Sequence, residues 1–295
     1  MRLPLFIALG VFLLGLILGS FLDLKISQAI ASSSNMFGII VAAIAPTIGF
    51  AGLCLIGGGF LAHGFQDRAI WQRIVFILLS FGIYGGSVYF SGREYFEVNG
   101  FNQPHLNWLG FLIAAIVLGG VVYLGYHLFK DVKSPYAWLV LAIAAAVIAL
   151  AMLGGIELLK GIFHRPRFRA IAQYDAISFH KWWQPCKNYK DLMATLNLAK
   201  EEFKSFPSGH TGETAILLVA ATFLPIVNPK LRKIQLPCFY GCLAFTLFVA
   251  FTRILVAAHF LSDVSMAGLI MVILCLVGNE CVLRLKWTKQ FDTAE

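Results

Sequence analysis

Three short patches of this chain hold residue types suited to one kind of chemistry. They are Lys160 with Arg165-Pro166-Arg167, then Phe206-Pro207-Ser208-Gly209-His210, then Arg253 with His259 and Asp263. Guanidinium forks grip phosphate oxygens through parallel charge-assisted bonds, and lysine adds a compact charge. With a hydroxyl, two imidazoles and a carboxylate beside them, these cations suit gripping and breaking a phosphate ester. Plainer readings stand next to each patch. Arg-Pro-Arg-Phe-Arg at 165–169 also fits a basic cluster that anchors a helix end to lipid headgroups. Ser208 is equally a simple N-cap, and His210 a residue of the membrane interface. Read together, Ser208-Gly209-His210 opens an apolar helix whose free N–H groups and partial positive charge would receive an anion. Gly209 permits a close backbone approach there.

His259 and Asp263 are four residues apart, so they share a face if helix begins before His259. A carboxylate on one imidazole nitrogen fixes the tautomer and leaves the other nitrogen as a nucleophile. Arg253 lies six residues before His259, off that face on a continuous helix. A turn around 255–258 is therefore expected, so that both point into one site. The alternative is an interfacial salt bridge, although ionisable groups beside apolar spans are costly and functional by default. Glu157, Glu213 and Glu280 also lie in or near apolar runs. Glu157 is placed to pair with Lys160 and Glu213 to tune His210, but structural pairing accounts for them equally well.

These patches must be positioned by apolar elements. The chain has 295 residues, 59% of them hydrophobic and only 13% charged, with a mean hydropathy of +0.79. Soluble domains carry about a quarter charged residues, so the composition marks an integral membrane protein. About eight apolar segments are expected, near 4–22, 38–64, 72–91, 107–129, 136–159, 209–227, 237–257 and 263–283. Each is long enough to cross a hydrocarbon core of ~30 Å, and a span that satisfies its own backbone must be helical. The predicted fold is all-α, a polytopic transmembrane helix bundle. In the run 38–64, Pro46 removes a donor and is expected to divide an interfacial stretch from a spanning helix. Arg2, the first apolar run and Ala29-Ile30-Ala31 fit a secretory leader only loosely, because the run is long and the candidate cleavage site distant. Five of the six cysteines (Cys54, Cys238, Cys242, Cys275, Cys281) lie in apolar runs and Cys186 in a loop. That pattern implies neither a disulfide framework nor a metal site. The net charge of +8 reads as loop charge plus an anion site, and no aromatic-interleaved basic domain speaks for nucleic acid.

Loop charge sets orientation. With eight spans, one side carries Arg2, Arg68, Arg73, Lys130, Lys133, Lys230, Arg232, Lys233, Arg284, Lys286 and Lys289, while short loops opposite carry Lys25 and Arg93. The expectation is a multi-pass cell-membrane protein with both termini cytoplasmic. The 160–208 loop and the 258–262 turn then face outward. Chain parity brings all three patches to that same side.

The three patches resemble the signature of the type-2 phosphatidic acid phosphatase superfamily, which also holds vanadium haloperoxidases and glucose-6-phosphatase-like enzymes. The family's first motif is a lysine, six residues, then Arg-Pro. Lys160 and Arg167 have that spacing, with Phe168 in the proline's place and an Arg165-Pro166 pair two residues earlier. Pro-Ser-Gly-His is intact at 207–210. The third motif matches Arg253, His259 and Asp263, with Thr252 where the family has serine. The resemblance implies a six-helix core from the later segments, 71–295, with 1–70 as added membrane segments. It implies that His259 attacks phosphorus and forms a phosphohistidine, that Asp263 orients it, and that His210 protonates the leaving oxygen and then activates water. Lys160, Arg167, Arg253, Ser208 and Gly209 would hold the phosphate, with Arg165 as a further candidate ligand. No metal and no cofactor is implied.

A site at the membrane surface suits a lipid whose tail stays in the bilayer. Tyr174, Phe179, Trp182, Trp183 and Tyr189 are expected at the interface, shaping lipid access. The resemblance implies a lipid phosphate or pyrophosphate as substrate, with a bacterial carrier such as undecaprenyl pyrophosphate favoured over phosphatidylglycerophosphate or phosphatidic acid. Rivals are a lipid phosphotransferase using the same histidine and a non-enzymatic anion transporter. Transporters hold their site near the midplane, whereas these polar residues gather at one end.

Overall fold

The computed structural model describes residues 1–95, 106–132, 134 and 136–285. Lys133, Lys286 and Lys289, used above for orientation, lie outside the described residues. Helices are the only regular secondary structure among the described residues. The principal helices are α1 (Arg2–Ile30), α2 (Met36–Gly64), α3 (Ile70–Gly92), α4 (Asn107–Phe129) and α5 (Ala137–Ala149). A π-helical segment, Leu150–Glu157, continues α5 into the short α6 (Leu158–Phe163). Two small helices, α7 (Phe168–Gln173) and α8 (Tyr189–Leu196), fold the long loop, and α9 (Gly209–Val227), α10 (Gln235–Leu255) and α11 (Leu261–Arg284) complete the bundle. Eight helical stretches are long and apolar enough to cross a membrane. The chain is a polytopic helical membrane bundle.

Helix α9 sits at the centre, buried on most of its faces. It contacts α2, α5, α10 and α11. Small residues set these approaches. A Cβ at Gly52 would stand 3.3 Å from the Ala220 methyl, and one at Gly58 only 2.6 Å from the Tyr126 nitrogen. Without lipid-to-lipid hydrophobic gain between spans, such backbone proximity is what holds membrane helices together. Leu5, Ala8 and Phe12 of α1 share one buried cluster with Ile216, Phe223 and Val272 of the later helices. By contrast Phe21, Leu3, Leu78 and Ile116 stay exposed, as lipid-facing side chains must.

Two expectations change. Pro46 does not divide its segment, because α2 runs unbroken from Met36 to Gly64 with Pro46 inside. The proline instead leaves the Ala42 carbonyl without its helical N–H donor. Nor does helix begin before His259. Phe260 is the N-cap of α11, so His259 stands in the connection and shares no helix face with Asp263.

Candidate active site

The connection between α10 and α11 is a helix C-cap that aims two functional groups at once. Ala257 takes a left-handed conformation at φ 57°. The Ala258 and His259 N–H groups both donate to the Arg253 carbonyl, each at 3.2 Å, and Ala257 N–H donates to Ile254 at 3.0 Å. This is a Schellman closure, with the 6→1 bond returning to the residue three positions before the cap. The interval of six between Arg253 and His259 thus folds into a single turn. The expected turn at 255–258 is present, and it sets both side chains at the same helix end.

His259 is buried, and its Nδ1 lies 2.6 Å from the Ser205 carbonyl. A carbonyl can only accept, so Nδ1 carries the hydrogen and the Nε2 lone pair is free. Burial, then the charges of Arg167 and Arg253, hold the His259 pKa well below the usual imidazole range. Its ring is therefore uncharged at neutral pH, with the Nε2 lone pair unprotonated. Asp263 does not hold His259 directly, since its Oδ2 is 3.9 Å from Nδ1. Oδ2 accepts instead from Ser205 Oγ at 2.5 Å and from Phe260 N–H at 2.7 Å. The orientation expected of Asp263 therefore passes through Ser205, whose hydroxyl binds the carboxylate and whose carbonyl binds the imidazole.

Ser208 caps α9. Its N–H donates to the Asp263 carbonyl at 3.1 Å, which ties the start of α9 to the start of α11. A Cβ on Gly209 would stand 2.9 Å from Lys160 Nζ, so the missing side chain is the room the ammonium occupies. Lys160 follows the π-helical segment, a register shift of a kind found at functional sites. It pairs with Glu157 at 2.6 Å, as its spacing predicts. Helix α6 ends at His164, which is left-handed at φ 43°. Arg167 N–H then donates to the Glu202 carbonyl at 2.8 Å, and Arg169 forks onto the Glu202 carboxylate at 2.6–3.1 Å. These bonds fix the strand-like stretch that carries Arg167.

Two cations around His259 keep open donors. Buried Nε and Nη1 of Arg253, and buried Nε of Arg167, have no protein acceptor. A buried guanidinium N–H without a partner is expensive, and an anion would satisfy it. Arg165 is different. Its Nε donates to the His180 carbonyl at 2.8 Å, Nη1 to Ser262 Oγ and Asp263, and Nη2 to Asp23. The guanidinium is also stacked against Phe260, 4.2 Å from the ring centroid. Arg165 therefore braces the site from behind, and its candidate role as a phosphate ligand gives way to that one.

His210 stands in the first turn of α9, whose start the Ser208 N–H ties to Asp263 at the start of α11. Its Nε2 is 3.2 Å from the Ala42 carbonyl that Pro46 leaves free. Glu94 Oε2 is 3.5 Å from the same nitrogen. Two acceptors on Nε2 place the hydrogen there and leave Nδ1 for chemistry. Glu213 is buried, and its Oε2 has no partner. Sequence reasoning missed Asp23, Ser205, Glu94 and the Ala42 carbonyl. Only Asp23 carried a signal, as a carboxylate near the end of an otherwise apolar run. In the loop, Phe179 meets Phe260 and Trp182 stacks on Phe206, while Trp183 stays 43% exposed.

An apolar helical bundle with histidines and unsatisfied cations at one end fits a membrane phosphatase in its general class, and a family match supports that class. The family model of the PAP2 superfamily matches residues 135–287, and the chain belongs to that superfamily. No curated protein and no solved structure matches the chain.

Proposed function

We propose that this protein hydrolyses a phosphate or pyrophosphate monoester of a membrane lipid through a phosphohistidine. The observation that carries the reading is the pairing of an uncharged, buried His259, its Nε2 free, with open guanidinium donors on Arg253 and Arg167. His259 Nε2 attacks phosphorus in line, and the bond from phosphorus to the leaving oxygen breaks. His210, carrying a second proton on Nδ1 in the substrate complex, gives that oxygen its Nδ1 proton. Water then attacks the phosphohistidine, its proton passes to His210, and phosphate leaves with the His259 lone pair restored. Lys160, Arg167 and Arg253 hold the nonbridging oxygens, with Ser208 and the first turn of α9 beside them. Charge neutralisation by these cations supports a mechanism without metal.

The lipid reading rests on where the site lies, at the ends of apolar helices whose outer faces suit a bilayer. Loop charge supports cytoplasmic termini and an outward-facing site. A phosphorylated lipid carrier exposed on that side, such as undecaprenyl pyrophosphate, is the substrate favoured. Purified protein in chelator, offered a panel of isoprenoid pyrophosphates and phospholipids, should release phosphate. Acceptor lipids in the assay would reveal transfer in place of hydrolysis. His259→Ala should lose turnover, by a factor on the order of 10³ or more for removal of a nucleophile, while still binding vanadate. Wild-type rates in that variant would refute the nucleophile.

A further inference from the structure

Helix α1 lies outside the stretch matched by the family model, yet it places a carboxylate against the site. Asp23 is 97% buried, being 3% exposed. Gly19 makes this possible, since a Cβ there would stand 2.6 Å from the Ser262 nitrogen. The Asp23 carboxylate bonds to two residues of the site-bearing segments, Ser262 and Arg165. Oδ1 accepts from Ser262 N–H at 2.9 Å, and Oδ2 accepts from Arg165 Nη2 at 2.9 Å and from the Ser262 hydroxyl.

The N-terminus of α11 explains the need. Its N-cap is Phe260, a side chain with no oxygen to offer the free N–H groups of the first turn. Two carboxylates take that role. Asp263 reaches back to Phe260 N–H at 2.7 Å, and Asp23 arrives from another helix to take Ser262 N–H. Arg165 stands between them and binds both. From Asp263 the chain of bonds runs on through Ser205 to His259 Nδ1. Docking of α1 does not by itself call for a buried charge. Gly15 already abuts Ser265, Phe12 already fills the space beside Gly268, and Arg2 pairs with Glu280. Burying a carboxylate in addition is costly unless it is fully bonded.

We propose that Asp23 is a positioning residue for His259, acting as an N-cap supplied to α11 by a different helix and as the second anion that holds Arg165 in place. Without its charge, Arg165 keeps one carboxylate partner, Asp263, beside the His180 carbonyl and Ser262 Oγ, and Ser262 N–H loses its charged acceptor. Both changes move the Asp263–Ser205 link that sets the imidazole. The role rests on the phosphatase reading above.

The test uses the full chain in lipid nanodiscs and a lipid phosphate that the wild type hydrolyses, with functional sites counted by calorimetric vanadate titration. For Asp23→Asn, kcat per vanadate-binding site should fall about tenfold or more while KM moves less than about threefold, the pattern of a lost transition-state alignment. Asp23→Glu should recover part of the loss. Unchanged kcat per site, with only fewer sites or a lower melting temperature, would make Asp23 an anchor and overturn the role. If Asp23→Asn does not fold, Ser262→Ala decides. It removes the hydroxyl shared by Asp23 and Arg165, and kcat per site should drop severalfold; no drop overturns the proposal. A wild-type chain that releases no phosphate from any lipid in the panel removes the phosphatase reading and this role with it, whereas an active wild type with an indifferent Asp23 removes only the role.

Discussion

At the scale of single residues, the site is a balance between one neutral base and the cations that surround it. Arg167 and Arg253 disfavour a charged His259, and burial does so more strongly. The sign of the pH effect follows. The ring keeps its lone pair as pH falls through the ordinary imidazole value of 6.5, and gains a proton only below it. The acid limb of kcat/KM should therefore lie below pH 6.5. Arg167→Gln, which removes a neighbouring positive charge, should move that limb upward even as activity falls. A limb that stays put across a pH–rate series would show that His259 does not feel Arg167. Gly209 offers a second check. A methyl group there meets the end of a flexible lysine and no backbone, so Gly209→Ala should fold. It should displace Lys160 and raise KM by about ten- to a hundredfold, the range for one charge-assisted hydrogen bond, with melting temperature little changed.

At the scale of elements, the sequence was most readable where oil was longest. Hydropathy found every long helix to within a few residues, apart from α1, which runs well past residue 22. Within an apolar span, length and backbone satisfaction leave the chain no other conformation. Three details escaped because they depend on neighbours. Pro46 reads as a divider, but packing against the rest of the bundle keeps α2 continuous and hands the freed carbonyl to His210. The π-helical register before Lys160 has no composition cue. The spacing of His259 and Asp263 reads as a shared helix face, whereas a cap at Ala257 ends one helix and Phe260 starts the next. That cap is testable. A β-branched residue resists positive φ, so Ala257→Val should cost about 1–3 kcal/mol and displace His259, cutting kcat. Ala257→Gly, free of that conflict, should retain kcat. Equal activity in the two variants would mean that the turn does not set the histidine.

At the scale of the whole molecule, its ends are joined. Arg2 binds Glu280 on the surface, Gly15 and Gly19 lie against Ser265 and Ser262, and Asp23 reaches Arg165. These links differ greatly in weight. The Arg2 pair is exposed and should matter little, as such pairs do. Arg165→Leu, in contrast, leaves two buried carboxylates facing each other and should destabilise by about 3–5 kcal/mol, read as a fall in melting temperature in nanodiscs. A wild-type melting curve would mean that the two carboxylates do not need their shared cation for stability. The residues of the proposed phosphate site stand out in the sequence because their types are chemically distinctive and fall at set spacings. The brace behind them does not, because Asp23, Arg165 and Ser205 make a unit only after distant helices meet.

That meeting has a consequence for synthesis. Asp23 is made 239 residues before its partner Ser262, and Arg165 is made 98 residues before Asp263. Until then Asp23 and Arg165 lack the third member of their cluster and His259 has no fixed seat. On the proposed mechanism, a nascent chain that has not yet packed α11 against α1 should therefore release no phosphate.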